Sequence, residues 1–226
     1  MPRRLIIAAL VVFSIAASGS CSAEMRGGWM GAWWPGYYNA EQIDASVAAA
    51  KKAGLNALFI QVRKNADSLY DSKIEPRVPQ VAADFDPLAY TIKKAHAQGI
   101  QVHAWVNALR VGSAVPPKDP NNLVNAHPEW ITLTFDGEKL SSGSVYLDPG
   151  VPAAREYVAK IMVDIATRYD VDGIQWDYIR YPDSKFGYAD AALARYYADT
   201  GATTKPDPKD PKWVQWKRDQ VSILVR

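Results

Sequence analysis

Apolar side chains recur along the chain at two spacings, helical and extended, and the two kinds of segment follow each other in turn. Asn39 and Gln42 form a capping pair before one helical segment, and Pro87 opens another. The pattern predicts helices over residues 39–54, 87–99 and 151–169. It predicts strands over residues 28–32, 55–63, 100–107 and 171–177. Strands that alternate with helices imply a parallel sheet with right-handed crossovers.

The second, third and fourth predicted strands carry polar residues on one face only, toward the end of each strand. In a doubly wound sheet both faces pack against helices, so the central strands would be apolar throughout. Polar groups that gather at the carboxyl ends of parallel strands are instead typical of the mouth of a (β/α)8 TIM barrel. No glycine-rich phosphate loop follows any of these strands. The polar face comprises Gln61, Arg63, His103, Trp105, Asn107, Gln175 and Asp177.

The number of strands is smaller than a complete barrel requires. A (β/α)8 barrel takes about 250 residues, whereas this chain has 226 and provides four strands. Residues 213–226 have a helical spacing that no glycine or proline ends. We therefore expect residues 24–226 to form the N-terminal half of a barrel, strands one to four, and this fragment to be inactive by itself.

Residues 1–23 have the order of a secretory signal: two arginines, an apolar run over residues 5–17, and then small residues. The run is shorter than the roughly 20 residues of a membrane-spanning helix. Cys21 follows three small residues, as in a lipoprotein box, where lipidation of the thiol would attach the protein to a membrane. Cleavage after Ala23 would instead discard Cys21. Both alternatives predict an exported protein, periplasmic or anchored in the cell envelope.

Composition and charge exclude several classes of partner. The net charge of +2 comes from 26 Lys and Arg against 24 Asp and Glu, and loss of Arg3 and Arg4 with the signal leaves no net charge. No basic cluster lies in the rest of the chain, so no nucleic-acid partner is predicted. One cysteine and three separated histidines argue against a disulfide framework and a metal site. No metal and no cofactor is predicted.

Several ordered motifs resemble one protein family. They are Arg-Gly-Gly-Trp at residues 26–29, Asn-Ala-Leu-Phe-Ile-Gln-Val-Arg at 56–63, His-Ala-Trp-Val-Asn at 103–107, His-Pro-Glu-Trp at 127–130, Leu-Asp-Pro-Gly at 147–150 and Asp-Gly-Ile-Gln-Trp-Asp-Tyr-Ile-Arg-Tyr-Pro at 172–182. Together they resemble the glycosyl-hydrolase-like family 10, exported bacterial barrels. The resemblance implies hydrolysis of O-glycosidic bonds in a polysaccharide or glycan substrate, and it points toward the glycan strands of peptidoglycan.

Glycosidic cleavage normally needs two carboxyl groups, and Asp177 is the best candidate for one of them. It ends the fourth predicted strand, shares the inward phase of Gln175 and lies within the motif at 172–182. The alternative is that Asp177 caps the turn that follows it. We expect the general acid on a later strand, beyond Arg226.

Candidate substrate-binding residues lie at or just beyond the strand ends. Arg63 and Asn107 share the inward phase, and we expect them to orient Asp177 and to hydrogen-bond sugar hydroxyls. Arg180 follows Asp177 by three residues and is a candidate to hold a substrate carboxylate or to pair with Asp177. Each has an ordinary alternative: an ion pair for the arginines and a strand-end turn for Asn107. Flat aromatic rings suit pyranose faces, although they also pack under loops. The aromatic candidates are Trp33, Trp34, Trp105, Tyr178 and Tyr181.

Two other functions remain open at this stage. A carbohydrate-binding barrel that has lost catalysis would need only the aromatic mouth. A metal-dependent polysaccharide deacetylase would need a tight set of His and Asp ligands, which His96, His103 and His127 do not provide at their spacing. His103 is expected to be a hydrogen-bonded interior histidine. The sequence assigns no role to the loop carboxylates Glu75, Asp148 and Asp183.

Overall fold

The computed structural model describes residues 24–34 and 36–226, so the predicted signal segment and Cys21 lie outside the described residues. Six strands and six α-helices form within this part of the chain. The strands are β1 (Gly27–Met30), β2 (Ala57–Arg63), β3 (Gln101–Asn107), β4 (Arg110–Ser113), β5 (Ser144–Tyr146) and β6 (Gly173–Asp177). The helices are α1 (Ala40–Lys52), α2 (Pro87–His96), α3 (Leu123–Ala126), α4 (Pro152–Arg168), α5 (Asp190–Thr200) and α6 (Pro211–Leu224).

Four strands form a parallel sheet in the order β1-β2-β3-β6. They are the four strands that the sequence predicts, and α1, α2 and α4 are the three helices predicted between them. The predicted α/β fold with parallel strands is therefore confirmed. The described residues cover part of a (β/α) barrel.

Local sequence explains where the helices begin. The Asn39 side chain accepts a hydrogen bond from the Gln42 amide at 2.9 Å and caps α1. The Gln42 side chain reaches back to the Tyr38 amide at 2.9 Å, one residue before the position that a capping box would use. Asp86 caps α2 in the same way by accepting from the Ala89 amide at 3.0 Å.

The segment between β3 and α4 contains elements that the sequence pattern does not predict. Strands β4 and β5 pair as a separate antiparallel ribbon, and α3 is a helix of four residues. Helix α5 is also unpredicted, whereas α6 matches the helical spacing at residues 213–226. Strand β4 of this ribbon begins at Arg110, three residues after β3 ends at Asn107.

The two faces of the parallel sheet differ in burial. On one face the apolar residues Ile60, Val62, Val102, Ala104 and Val106 are fully buried in the core beneath the helices. On the other face Trp29 is 65% exposed, and Gln175 and Asp177 are half-buried. This second face corresponds to the inside of a barrel. Within the described residues no helix combines the length and apolar character that a membrane span needs.

Candidate active site

The carboxyl ends of the four parallel strands bring the predicted polar residues to one edge of the sheet, which we call the mouth. Gln61, Trp105 and Gln175 are register neighbours across β2, β3 and β6. One step further along, Asn107 lies opposite Asp177. Adjacent parallel strands in register therefore place these side chains next to each other, as the inward phase predicts.

Asp177 is half-buried at the end of β6, and each of its carboxylate oxygens accepts a hydrogen bond. The Trp105 indole N–H donates to Oδ2 at 3.0 Å. The Tyr178 backbone N–H donates to Oδ1 at 2.7 Å. These two donors fix the orientation of the carboxylate, and the second one also fits the turn-capping alternative.

The backbone turns sharply immediately after Asp177. Tyr178 has φ of 52°, in the left-handed region that non-glycine residues seldom occupy. The Ala108 N–H donates to the Asp177 carbonyl at 2.7 Å and ties this turn to the end of β3. A strained conformation of this kind costs on the order of 1 kcal/mol or more, and it is common at functional sites.

Below the surface of the mouth, side-chain amides join three strand ends. Gln61 accepts from the Ala32 N–H at 3.0 Å and donates to the Asn107 side chain at 3.1 Å. The Asn107 amide donates to the Lys64 carbonyl at 3.0 Å. Gln61 and Asn107 are both fully buried, so Asn107 supports the strand ends and does not present its side chain to the surface.

Arg63 also lies beneath the mouth and does not reach the surface. Its guanidinium is fully buried and forms an ion pair with Glu75, with Nη2 to Oε1 at 2.7 Å. It also donates to the carbonyls of Asn107 and Ala108. The prediction that Arg63 faces a substrate is wrong in this structure, because a β-bulge between Gln61 and Arg63 breaks the alternation of the strand.

The other predicted residues lie at different depths. Trp33 and Trp34 are 46% and 69% exposed after β1. Trp105 and Tyr178 are half-buried next to Asp177, and Arg180 is exposed with its guanidinium 5.2 Å from the Tyr178 ring centroid. Tyr181 is turned away from this group, since its hydroxyl donates to the buried Asp148 at 3.1 Å.

Two loop carboxylates to which the sequence assigns no role, Glu75 and Asp148, are buried. Glu75 is the partner of Arg63. Asp148 is fully buried and accepts from the Gly150 N–H at 2.8 Å and the Thr132 hydroxyl at 2.9 Å. Burial raises the pKa of Asp148, and these donors oppose the rise. Asp183, by contrast, is exposed and accepts from the Lys185 N–H at 2.7 Å.

Two arginines and two tyrosines lie near Asp177: Arg110, Arg180, Tyr146 and Tyr178. Burial raises the pKa of Tyr146, and Tyr178 and Asp177 raise it further, while Arg110 and Arg180 oppose the rise. These groups therefore lie within electrostatic reach of one another. Among the residues that the structure describes, no three His, Cys, Asp or Glu side chains are grouped so that they could hold a metal ion.

Comparison with known proteins identifies the family. A family model described as glycosyl hydrolase-like 10 matches residues 24–226. The chain belongs to this family. It is 27% identical over 189 residues to "Glycosyl hydrolase YngK" from Bacillus subtilis (strain 168), covering 78% of this chain and 34% of that protein. It is 29% identical over 188 residues to "Glycosyl hydrolase DigH" from Escherichia coli (strain K12), covering 77% of this chain and 40% of that protein.

The chain thus spans between one third and two fifths of the length of these curated relatives. Solved structures agree on the fold. Alpha-L-fucosidase isoenzyme 2 from Paenibacillus thiaminolyticus gives a TM-score of 0.63 at 17% identity, covering 82% of this chain and 26% of that chain. A hypothetical protein from Ruminiclostridium thermocellum ATCC 27405 gives 0.54 at 20% identity, covering 85% and 91%. Likeness at this level of identity shows the fold alone.

Proposed function

We propose that this protein is a glycoside hydrolase that cleaves O-glycosidic bonds in a glycan of the bacterial cell envelope, with the glycan strands of peptidoglycan as its substrate. One observation carries the proposal: in a chain of the glycosyl hydrolase-like 10 family, Asp177 ends a parallel strand at the mouth with both oxygens oriented by N–H donors. The carboxyl ends of barrel strands are where such folds place catalytic groups.

Asp177 is suited to the charged role in glycosidic cleavage. Its carboxylate can attack the anomeric carbon or stabilise the oxocarbenium-like transition state. Trp105 both orients the carboxylate and presents an aromatic ring next to it, where a pyranose face can stack. A second carboxyl group must protonate the leaving oxygen, and we assign it to a later strand of the same barrel.

The open inner face supports a larger barrel. In a closed barrel the inward-facing side chains of all eight strands fill the interior. Here Trp29 points from β1 onto the inner face and is 65% exposed, although its indole N–H donates to Gln175 at 2.8 Å. We propose that strands five to eight cover this face and complete the catalytic set.

Release of new reducing ends tests the proposal. The natural protein at the length of its curated relatives is incubated with peptidoglycan glycan strands, chitin and an α-glucan. We expect reducing ends from the peptidoglycan strands. Binding without release from any of the three glycans would contradict catalysis and favour the carbohydrate-binding barrel.

Export and anchoring are further parts of the proposal, and they rest on residues 1–23. We expect signal cleavage before Cys21 and lipidation of its thiol. Cys21→Ser should abolish lipidation and globomycin-sensitive processing, and cleavage after Ala23 in its place would release the protein to the soluble periplasmic fraction. Unchanged processing and fractionation of this variant would contradict lipidation and favour cleavage after Ala23.

A further inference from the structure

Three cations and two aromatic rings at the mouth form one continuous line of contacts, which we call the cation–aromatic row. Lys64 Nζ lies 4.9 Å from the Trp33 ring centroid, and the Arg110 guanidinium lies 5.0 Å from the same ring. Arg110 also lies 5.7 Å from the Tyr178 ring, and Arg180 lies 5.2 Å from that ring. The row comprises Lys64, Trp33, Arg110, Tyr178 and Arg180.

Every parallel strand contributes to this row. Trp33 follows β1, Lys64 follows β2, Arg110 follows β3 at the start of β4, and Tyr178 and Arg180 follow β6. The carboxyl ends of parallel strands meet at one edge of the sheet, so the row runs across the mouth. Tyr178 is the residue directly after Asp177, which places the row beside the proposed catalytic carboxylate.

The three cations have neutral partners. Lys64 donates to the Ala32 carbonyl at 3.0 Å, and Arg110 donates to the Asn65 side chain at 2.8 Å and to the Ser144 hydroxyl at 3.2 Å. Within the described part of the chain, none of the three forms an ion pair with a carboxylate. Their positive charge is therefore not neutralised by a direct ion pair, although the Asp177 carboxylate lies nearby.

This local charge contrasts with the balanced charge of the whole chain. Arg110 is buried, Lys64 is half-buried and Arg180 is exposed. Like charges that share the same rings repel each other, and contact with the rings offsets only part of that cost. A bound anion removes the repulsion and gains charge-assisted hydrogen bonds from the guanidiniums. Trp33 is 46% exposed and Arg180 is exposed, so a ligand can reach the row from solvent.

We propose that the cation–aromatic row is a subsite for a carboxylate carried by the glycan substrate, so that the protein selects acidic glycans over neutral ones. The inference rests on the proposed glycan substrate and adds the charge that this substrate carries. Sugar rings stack on the exposed aromatic surface, and the carboxylate pairs with Arg180 and its neighbours. Asp177 repels the carboxylate, which sets the acidic sugar apart from the ring that is cleaved.

Binding of one glycan in two charge states tests the subsite. The natural protein at the length of its curated relatives is titrated with peptide-free peptidoglycan strands, which carry a lactyl carboxylate on every second sugar, and with the same strands after amidation of the carboxyl groups. We expect at least about tenfold tighter binding of the acidic strands at about 0.01 M salt. The ratio should fall toward one as added salt shortens the screening length from about 30 Å to about 3 Å.

Variants connect this ratio to the row. Arg180→Gln should weaken binding of the acidic strands about fivefold, as expected for a surface ion pair, and leave binding of the amidated strands unchanged. Lys64→Gln provides a second variant with the same expectation. The matched control is Lys93→Gln, which removes the same charge from an exposed position on α2 and should change neither affinity.

The outcomes separate this inference from the proposed function. Equal affinity for both charge states overturns the carboxylate subsite even if the protein hydrolyses glycans. A charge preference that Arg180→Gln and Lys64→Gln leave intact overturns it as well. Competition by a single-stranded oligonucleotide at equal charge concentration, as strong as that by an oligouronate, would show a general polyanion surface and reject a glycan subsite. A tenfold preference without hydrolysis supports the subsite and counts against catalysis.

Discussion

At the scale of single residues, Asp177 gives the most direct test of catalysis. Asp177→Asn retains the size of the side chain and can still accept one of the two hydrogen bonds, from Trp105 or from Tyr178, through its remaining oxygen, but it removes the negative charge. Loss of such an electrostatic contribution in the transition state commonly lowers kcat by about 10²- to 10³-fold. We expect this loss in the natural full-length protein, with glycan binding retained because the aromatic mouth is unchanged.

Reducing-end release and equilibrium binding, measured on the same preparation, check this prediction. Asp183→Asn is the control, since it removes the same charge from an exposed loop six residues along the chain. Near-native hydrolysis by Asp177→Asn would identify Asp177 as a turn cap. Should Asp177→Asn unfold, Asp177→Ser removes the same charge with a smaller side chain.

The buried ion pair beneath the mouth predicts a large effect on stability. Glu75→Gln leaves the Arg63 guanidinium fully buried without its counter-charge. Breaking a buried pair in this way lowers the free energy of unfolding by about 3–5 kcal/mol. Urea denaturation measures the change. The control is Lys73→Gln, because the Lys73–Asp71 pair is exposed and should contribute less than about 1 kcal/mol. Equal losses in the two variants would contradict a supporting role for the buried pair.

At the scale of elements, periodicity predicted three of the four parallel strands, β2, β3 and β6, because each of these alternates polar and apolar residues. The same alternation puts Trp105 and Asp177 on the inward faces of neighbouring strands, and in the structure the Trp105 indole donates to the Asp177 carboxylate. The prediction was wrong for Arg63, because a β-bulge adds a residue to β2. The alternation of polar and apolar residues in the sequence does not reveal this bulge.

Other elements depend on contacts that local sequence does not contain. Strands β4 and β5 have four and three residues, too short for a periodic pattern, and they pair across a long loop. The burial of Asp148 comes from Thr132, Tyr181 and the start of α5, which meet only in the folded chain. Long-range pairing therefore explains both the missed ribbon and the missed buried carboxylates.

Helix α6 carries a lysine whose titration should affect stability. Lys217 is buried, its ammonium donates to the carbonyls of Ser184 and Phe186 at 2.8 and 2.7 Å, and it lies over the rings of Tyr181 and Trp213. Burial lowers its pKa to about 8 from an ordinary 10.5, although Asp148 and Asp183 oppose this change.

The sign of the pH dependence follows from this direction. Between pH 8 and pH 10.5 the unfolded chain binds more protons at this site than the folded chain. The Lys217 contribution to the free energy of unfolding therefore rises with pH there, by up to about 1 kcal/mol per pH unit, and is flat below that range. Urea denaturation from pH 7 to pH 9.5 should show that Lys217→Met removes this slope, whereas Lys212→Met, exposed on the same helix, leaves it. An unchanged slope in Lys217→Met would contradict the shifted pKa.

At the scale of the whole molecule, two properties of the mouth have different origins. Residues 24–226 have no net charge, yet three cations gather around Trp33 and Tyr178. The cations come together because the carboxyl ends of the parallel strands meet at the mouth. The amino-acid composition of the chain does not reveal this local positive charge. The same convergence brings Asp177 next to these cations, so the mouth combines one carboxylate with a positive surrounding.

The open sheet predicts how the chain behaves alone. Within the described residues β1 and β6 are edge strands, and Trp29 and Trp34 expose 65% and 69% of their surface on the mouth side. Unpaired strand edges next to exposed apolar surface are templates for association. We therefore expect the chain of residues 24–226, expressed without strands five to eight, to dimerise or aggregate at micromolar concentration.

Light scattering coupled to size-exclusion chromatography, with a thermal melt of the same sample, checks this expectation. Trp29→Lys should reduce association, because it places a charge on the open inner face beside the β1 edge. Val163→Lys changes a side chain of similar exposure, 59%, on the outer helix α4, and it should leave association unchanged. A monodisperse monomer that melts cooperatively would contradict the incomplete barrel, because four strands would then be sufficient to satisfy their own edges and inner face.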